Sequence, residues 1–143
     1  MTPIEIRRLL PGDDAFLERV AEEVFDEPID PARLAAYLAA PGHLMIVALA
    51  DGLVVGQCAA VIHRHPDKPT ELYIDEVGVS PAFQRRGIAR RMLMAMFALG
   101  RELGCEEAWV GTEPGNIAAR ALYENLPESG EPAEQFAMYV YKL

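Results

Sequence analysis

The order of apolar and polar residues in the first third of the chain predicts one strand and two helices. Residues 4–9 alternate between the two classes, which is typical of a β-strand. Apolar residues recur at helical spacing over 16–25, and again over 34–38 after the helix-start dipeptide Asp30-Pro31. Pro41 and Gly42 are expected to end the second helix.

The middle of the chain is rich in Val, Ile and Ala and predicts a β-hairpin. The runs 43–50 and 53–63 are joined by Asp51-Gly52, a dipeptide that favours the tight turn of a hairpin. A third run, 71–79, follows a loop and predicts another strand. Its apolar alternation changes phase halfway, which fits either a β-bulge near Asp75-Glu76 or a strand that is buried on both faces.

The last third returns to alternating helical and extended patterns. Apolar residues from 89 to 103 predict an amphipathic helix that Gly104 ends. A short strand at 108–111, a helix after Pro114-Gly115-Asn116 and a last strand at 136–143 complete the order. We therefore predict an α/β (α+β) fold, a mixed central β-sheet of about six to seven strands flanked by about four helices.

The composition is that of one folded domain spanning residues 1–143. Hydrophobic residues make up 51% of the chain and charged residues 24%, which excludes a disordered or fibrous protein. The formal net charge of −9 disfavours nucleic acid and anionic membranes as partners. We expect neither of these partners, and a cationic one suits the chain better.

The cysteines and the N-terminus indicate a cellular compartment. Cys58 and Cys105 have neither disulfide nor metal-ligand spacing, so we interpret them as core thiols in a reducing environment. No apolar run reaches the roughly 18 residues of a membrane span, and the first residues lack the basic and apolar regions of a secretory signal. A cytoplasmic location is the expectation.

Basic residues are concentrated in one short segment of this acidic chain. Four of the 13 Lys and Arg residues lie between 85 and 91, directly after a predicted strand and at the start of a predicted helix. Backbone N–H groups at a helix start favour phosphate, Gly87 permits close approach, and the arginines add charge. The alternative is an ordinary solvated helix start. The segment is neither a Walker loop nor a dinucleotide fingerprint.

The sequence Gln-Arg-Arg-Gly-Ile-Ala at 84–89 resembles the Q/R-x-x-G-x-G/A signature of the GNAT superfamily of N-acetyltransferases, which bind acetyl-CoA. The neighbouring strands and helices also follow the order and spacing of that family. The segments 73–80 and 110–123 are most similar to type I aminoglycoside 3-N-acetyltransferases. After Tyr123 the chain departs from the family's usual Leu-Gly-Phe-like turn, so the acceptor-side wall is expected to differ.

The resemblance implies direct transfer of the acetyl group from the CoA thioester to an amine, without a covalent enzyme intermediate. An alkyl ammonium with a pKa of about 10 must lose a proton before its nitrogen can attack. Glu76 is the first candidate base and Glu113 the second, either directly or through water. Surface carboxylates without a role are the alternative. The family places Tyr123 where it can protonate the departing sulfur.

The resemblance also implies which residues bind acetyl-CoA. The backbone of Val77 and Val79 would hold the pantetheine arm like an added strand, and the Val77 N–H would polarise the thioester carbonyl. The segment 85–89 would bind the pyrophosphate, and Asn116 would contact the pantetheine arm. The complete expected set is Val77, Gly78, Val79, Gln84, Arg85, Arg86, Gly87, Ile88, Ala89 and Asn116.

The acceptor is expected to be a small cationic amine, with an aminoglycoside as the first candidate. Acidic residues crowd 18–30 and 124–134, although such stretches are also typical of solvated helix faces. A polyamine, an amino acid or a protein N-terminus are alternative acceptors, and a catalytically silent CoA-binding sensor is an alternative function. His63 and His65 lack a further ligand pattern, so no metal is expected. GNAT proteins are often homodimers.

Overall fold

The computed structural model describes residues 2–128 and 130–143 of the chain. The chain forms two compact units, Met1–Gly111 and Thr112–Leu143. The first unit contains a five-stranded sheet in the order β1-β2-β3-β4-β5. Its strands are β1 Ile4–Arg8, β2 His43–Ala50, β3 Leu53–His63, β4 Glu71–Val79 and β5 Glu107–Val110. Neighbours from β1 to β4 are antiparallel and β4 pairs with β5 in parallel, so the sheet is mixed, as predicted.

Two helices of the first unit begin where the sequence predicts. Helix α1 is Pro31–Ala39, and the Asp30 side chain caps it by accepting a hydrogen bond of 3.0 Å from the Arg33 N–H. Helix α2 is Ile88–Glu102 and connects β4 to β5. No helix in the described part of the chain is long and apolar enough to cross a membrane.

The core lies on both faces of the sheet because β2 is buried on both sides. Met45, Val47 and Leu49 pack in a cluster with residues of α1. The residues between them face the opposite side, where Met92 of α2 lies against Gly56, the partner of Ala48. The helices thus cover opposite faces of one sheet, an ordinary layered α/β arrangement.

The helix predicted over 16–25 is wrong. Only Asp14–Glu18 forms a short 3₁₀ helix, and the following residues run beside β3. The Val54 N–H donates to the Arg19 carbonyl at 2.9 Å, and the Ala21 N–H donates to the Val54 carbonyl at 2.8 Å. Because these backbone groups bond to the sheet, they are not available for helical hydrogen bonds.

The second unit contains helix α3, Ile117–Glu124, which confirms the last predicted helix. The strand predicted at 136–143 is wrong, since residues 130–143 have no regular secondary structure. Alternation indicates which side chains would share a face, but a strand also needs a neighbour to accept its hydrogen bonds. The described residues therefore contain five strands and three α-helices, fewer than predicted.

Candidate functional site

Strand β4 has a register shift at the place where its apolar alternation changes phase. Ala59 of β3 pairs with Glu76, and the next residue, Ala60, pairs with Ile74. Asp75 is therefore the extra residue of a β-bulge, which confirms the bulge and excludes the alternative of a regular strand buried on both faces. A bulge redirects the side chains beyond it. Asp75 and Glu76 are both exposed.

The edge of β4 beyond the bulge has no partner strand on its outer side in the described part of the chain. The parallel pairing with β5 covers only Glu71–Ile74, whereas β4 continues to Val79. The backbone groups of an open edge can bind an extended ligand as an added strand. The edge from Asp75 to Val79 includes Val77 and Val79, the residues expected to hold the pantetheine arm.

Glu76 lies in a negative environment that favours its protonated form. Desolvation raises the pKa of the Glu76 carboxyl, and the charges of Asp75 and Asp26 raise it further. A hydrogen bond of 3.3 Å from Gln57 Nε2 to Glu76 Oε1 acts in the opposite direction. Since the net shift of the pKa is upward, Glu76 is a stronger base than an ordinary surface glutamate.

Gln57 is a residue of this site that the sequence analysis missed. Its side chain is buried, with 1% of the residue exposed, and its Nε2 donates both to Glu76 and, at 3.4 Å, to the Val24 carbonyl. Its Oε1 is buried without a hydrogen-bond partner among the described residues. Gln57 thus links the Glu76 side chain to the backbone of Val24. A single Gln within the apolar run 53–62 was the available signal.

The segment that contains Asp26 crosses directly over β4. A Cβ atom at Gly78 would lie 2.5 Å from the Val24 carbonyl oxygen, so only glycine allows this approach. The crossing places the negative charge of Asp26 close enough to Glu76 to raise its pKa. The acidic segment 18–30 therefore contributes to the site through Asp26.

We expect Gly78→Ala to destabilise the protein by about 1–3 kcal/mol, because the added methyl group must displace the Val24 backbone. Urea denaturation measures this change. Gly111→Ala is the matched control, since a Cβ at Gly111 meets no atom of the described residues within 4 Å. Equal stability of the Gly78→Ala variant and the wild type would contradict the close approach.

The start of α2 has the geometry of an anion site. Arg85 and Gly87 both have positive φ angles, 63° and 73°, which curl the backbone before the helix. Gly87 is the N-cap and provides no side-chain cap, so the first N–H groups of α2 remain without a capping side chain. The helix dipole and the nearby arginines favour a phosphate at this position.

Two contacts join the strand edge to this loop. The Gln84 Nε2 donates to the Val79 carbonyl at 3.2 Å, and the Ser80 N–H donates to the Val55 carbonyl at 2.9 Å. Ile88, which is 2% exposed, anchors the start of α2 against the sheet at Gly56. The structure thus brings one group of predicted residues together in the first unit: Glu76, Val77, Gly78, Val79, Gln84, Arg85, Arg86, Gly87, Ile88 and Ala89.

The other predicted residues lie in the second unit. The Asn116 N–H donates to the Glu113 carbonyl at 2.9 Å, and the Asn116 side chain caps α3 by accepting from the Ala119 N–H at 3.1 Å. Tyr123 lies in the last turn of α3. The roles expected for these three residues stay predictions.

The cysteines are unsuited to nucleophilic catalysis. Cys58 is fully buried, and desolvation, with a smaller contribution from Asp75, raises the pKa of its thiol to about 12. Desolvation also raises the pKa of the buried Cys105 thiol. Because the thiolate is the reactive form, neither side chain is suited to carry an acetyl group.

An open strand edge beside an uncapped helix start fits a long cofactor with a phosphate group, and the adjacent carboxylate fits an acceptor that must lose a proton. An acyl-transfer site requires features of this kind. The family model of the acetyltransferase (GNAT) family matches residues 13–126. The chain therefore belongs to the GNAT family, and it is an N-acetyltransferase that uses acetyl-CoA.

Individual relatives agree with this assignment. N-alpha-acetyltransferase RimI of Mycobacterium tuberculosis is 32% identical over 126 residues, which cover 87% of this chain and 77% of RimI. Aminoglycoside N(6')-acetyltransferase type 1 of Salmonella typhimurium is 29% identical over 85 residues, 56% of this chain and 58% of that enzyme. The solved structure of aminoglycoside N-acetyltransferase AAC(6')-Iy in complex with CoA has a TM-score of 0.78 and 24% identity, covering 100% of this chain and 97% of that one. The resemblance to the 3-N subtype is not confirmed.

Proposed function

We propose that this enzyme acetylates a primary amine of a small cationic acceptor beside Glu76. The observation that carries the proposal is the cluster of carboxylates formed by Glu76, Asp75 and Asp26, in which the pKa of Glu76 is raised. Such a cluster attracts an ammonium group through its charge. It also provides a base that can remove the ammonium proton near neutral pH.

The residues of the chain would divide the reaction between them. Glu76 accepts a proton from the ammonium group, directly or through a water molecule, and the free amine attacks the acetyl carbonyl carbon. The Val77 N–H stabilises the negative charge that develops on the carbonyl oxygen. Acetyl-CoA supplies the acetyl thioester. We assign Tyr123 the protonation of the departing sulfur and keep Glu113 as the second candidate base.

The open edge and the helix start would hold acetyl-CoA. The backbone at Val77 and Val79 pairs with the pantetheine arm, while the loop from Gln84 to Ala89 binds the pyrophosphate. The CoA complex of AAC(6')-Iy supports this cosubstrate for a protein of the same fold. Asn116 is proposed to contact the pantetheine arm. We assign the transfer chemistry to these residues without a metal.

An aminoglycoside is the first candidate acceptor, and its 6'-amine and 3-amine are the two positions to compare. The acidic segment 18–30 borders a cavity of about 270 Å³, and this cavity includes Asp26. A polycation can place one ammonium at Glu76 and others along this segment. The likeness to RimI supports a protein N-terminus as the second candidate, ahead of a polyamine or an amino acid.

Release of CoA from acetyl-CoA, measured with aminoglycosides, polyamines, amino acids and short peptides, tests the proposal. We expect the highest kcat/KM with an aminoglycoside, and mass spectrometry of the product identifies the acetylated amine. Turnover confined to peptides would replace the proposed acceptor by a protein N-terminus. Binding of acetyl-CoA without turnover of any amine would favour the silent CoA-binding sensor instead.

We also propose that both units belong to one catalytic domain over 1–143, because the family match at 13–126 runs through both of them. A homodimer is proposed from the exposed apolar side chains of the tail, where Phe136 is 73% and Val140 86% exposed. The free cysteines and the use of acetyl-CoA support a cytoplasmic location. The net charge of −9 supports a role without nucleic acid or membrane partners.

A further inference from the structure

Three side chains with metal-binding atoms meet at the base of the hairpin formed by β3 and β4. His63, the last residue of β3, is the cross-strand partner of Glu71, the first residue of β4. The intervening loop returns His65 to the same place, where its Nε2 contacts Glu71 Oε1. One ligand atom from each residue lies within 4.8 Å of the others.

We propose that His63, His65 and Glu71 bind one divalent transition-metal ion of the zinc type. Two imidazoles and a carboxylate are a donor set that suits Zn²⁺. Bonds of about 2.0–2.2 Å place tetrahedral ligands roughly 3.4 Å apart, so small rotations of the three side chains close the site. The fourth position would hold water.

A hydrogen bond from Trp109 completes the arrangement. Trp109 Nε1 on β5 donates to Glu71 Oε2 at 2.5 Å, while Oε1 contacts His65. A hydrogen bond of this kind fixes the orientation of a carboxylate, as the partners of metal ligands commonly do.

The hydrogen bond between His65 and Glu71 does not involve His63, which lies against the rings of His65 and Trp109. The two imidazole rings lie 4.2 Å apart between centroids. A shared cation would use all three side chains. This proposal departs from the expectation, drawn from the sequence, that no metal is bound.

The proposed site is separate from the acetyl-transfer site. Glu71 begins β4 and Glu76 lies beyond the bulge. Their cross-strand partners His63 and Ala59 are four residues apart on β3, which corresponds to roughly 13 Å along a strand. The ion would join β3 and β4 directly and β5 through Trp109. It therefore stabilises the frame of the sheet and takes no part in the chemistry.

Calorimetric titration of the untagged, chelator-treated protein with Zn²⁺ tests the site. We expect saturable binding of one ion per chain, a rise in Tm, and no saturable binding of Mg²⁺. Co²⁺ should give the visible absorption of a tetrahedral complex. Trp109→Phe should weaken Zn²⁺ binding by about 10- to 100-fold, and His65→Ala by more.

His43→Ala is the matched control. His43 is the one histidine of the three that is not part of the proposed site, and its ring lies against Tyr37. It should bind Zn²⁺ like the wild type. Retained binding of acetyl-CoA shows that each variant is folded. The proposal would be overturned if the wild type did not bind Zn²⁺. It would also be overturned if a His63→Ala/His65→Ala double variant that still binds acetyl-CoA bound Zn²⁺ as the wild type does.

Discussion

Glu76→Gln is expected to lower kcat by about 10²–10⁴, the usual contribution of a general base, and to leave the Kd for acetyl-CoA unchanged. Glutamine keeps the shape of the side chain and its hydrogen bond with Gln57, but it cannot accept the ammonium proton. The acetyl-CoA site that we propose lies in the strand edge and the loop at 84–89, which the substitution does not alter. Steady-state kinetics and calorimetry measure the two quantities separately.

The pH dependence provides a second readout for the same residue. Because desolvation, Asp75 and Asp26 raise the pKa of Glu76, the base becomes protonated above the usual glutamate range of about 4.3 as the pH falls. As the pH falls, kcat/KM should therefore begin to decline at a higher pH than it would if the base had the pKa of an ordinary glutamate. In the Glu76→Gln variant this acidic limb should be absent.

Two further variants separate Glu76 from other carboxylates. Glu107→Gln changes an exposed residue at the start of β5 and should keep the kcat and the pH profile of the wild type. Glu113→Gln tests the second candidate base. Wild-type kcat with an intact acidic limb in Glu76→Gln would transfer the role of base to Glu113 or to water.

Features set by neighbouring residues were predictable from the sequence. The hairpin follows from Asp51-Gly52, where both residues have positive φ angles of 48° and 77°. The cap at Asp30 and the bulge at Asp75 also have local signals, in a dipeptide and in a change of alternation. In each case the residues that specify the feature lie within a few positions of it.

Features set by distant contacts were not predictable. The pattern at 16–25 has helical spacing, yet the backbone at Arg19 and Ala21 bonds to Val54, more than thirty residues away. The tail at 136–143 alternates like a strand, and no local signal shows whether a partner strand exists. Propensity is a weak prior where such tertiary hydrogen bonds compete with it.

The candidate site also combines features that the sequence predicts locally with features that depend on distant contacts. The resemblance identified the strand edge and the loop at 84–89, because their residues are contiguous in the chain. The surroundings of Glu76 come from separate elements: Gln57 from β3 and Asp26 from a segment that crosses β4. Only the sheet register and the path of that segment bring them together, so the pKa shift of Glu76 could not be derived from the sequence.

Gly87→Asp is expected to weaken acetyl-CoA binding by at least about 100-fold, or about 2.7 kcal/mol. The carboxylate would occupy the N–H groups at the start of α2 and repel the pyrophosphate. Two like charges 4 Å apart near a protein surface interact by about 4 kcal/mol, which is enough for this effect. Calorimetric titration with acetyl-CoA measures the change.

The fold should survive this substitution. In the part of the chain that the structure describes, a Cβ at Gly87 meets no atom within 4 Å. Asp is among the residues that tolerate a positive φ, here 73°. The charge of Asp also complements the helix dipole. An unchanged Tm would therefore assign the lost affinity to the ligand site and not to unfolding of α2.

Gly87→Asn separates charge from shape, because asparagine has the same size and also tolerates the positive φ at this position. We expect it to weaken acetyl-CoA binding by less than about tenfold, the effect of a neutral side chain in the path of the phosphates. The difference between the two variants should shrink at about 1 M salt, where the Debye length is about 3 Å. Equal losses of affinity in both variants would mean that the added side chain acts only by steric obstruction and not by its charge. Wild-type affinity in Gly87→Asp would place the pyrophosphate elsewhere.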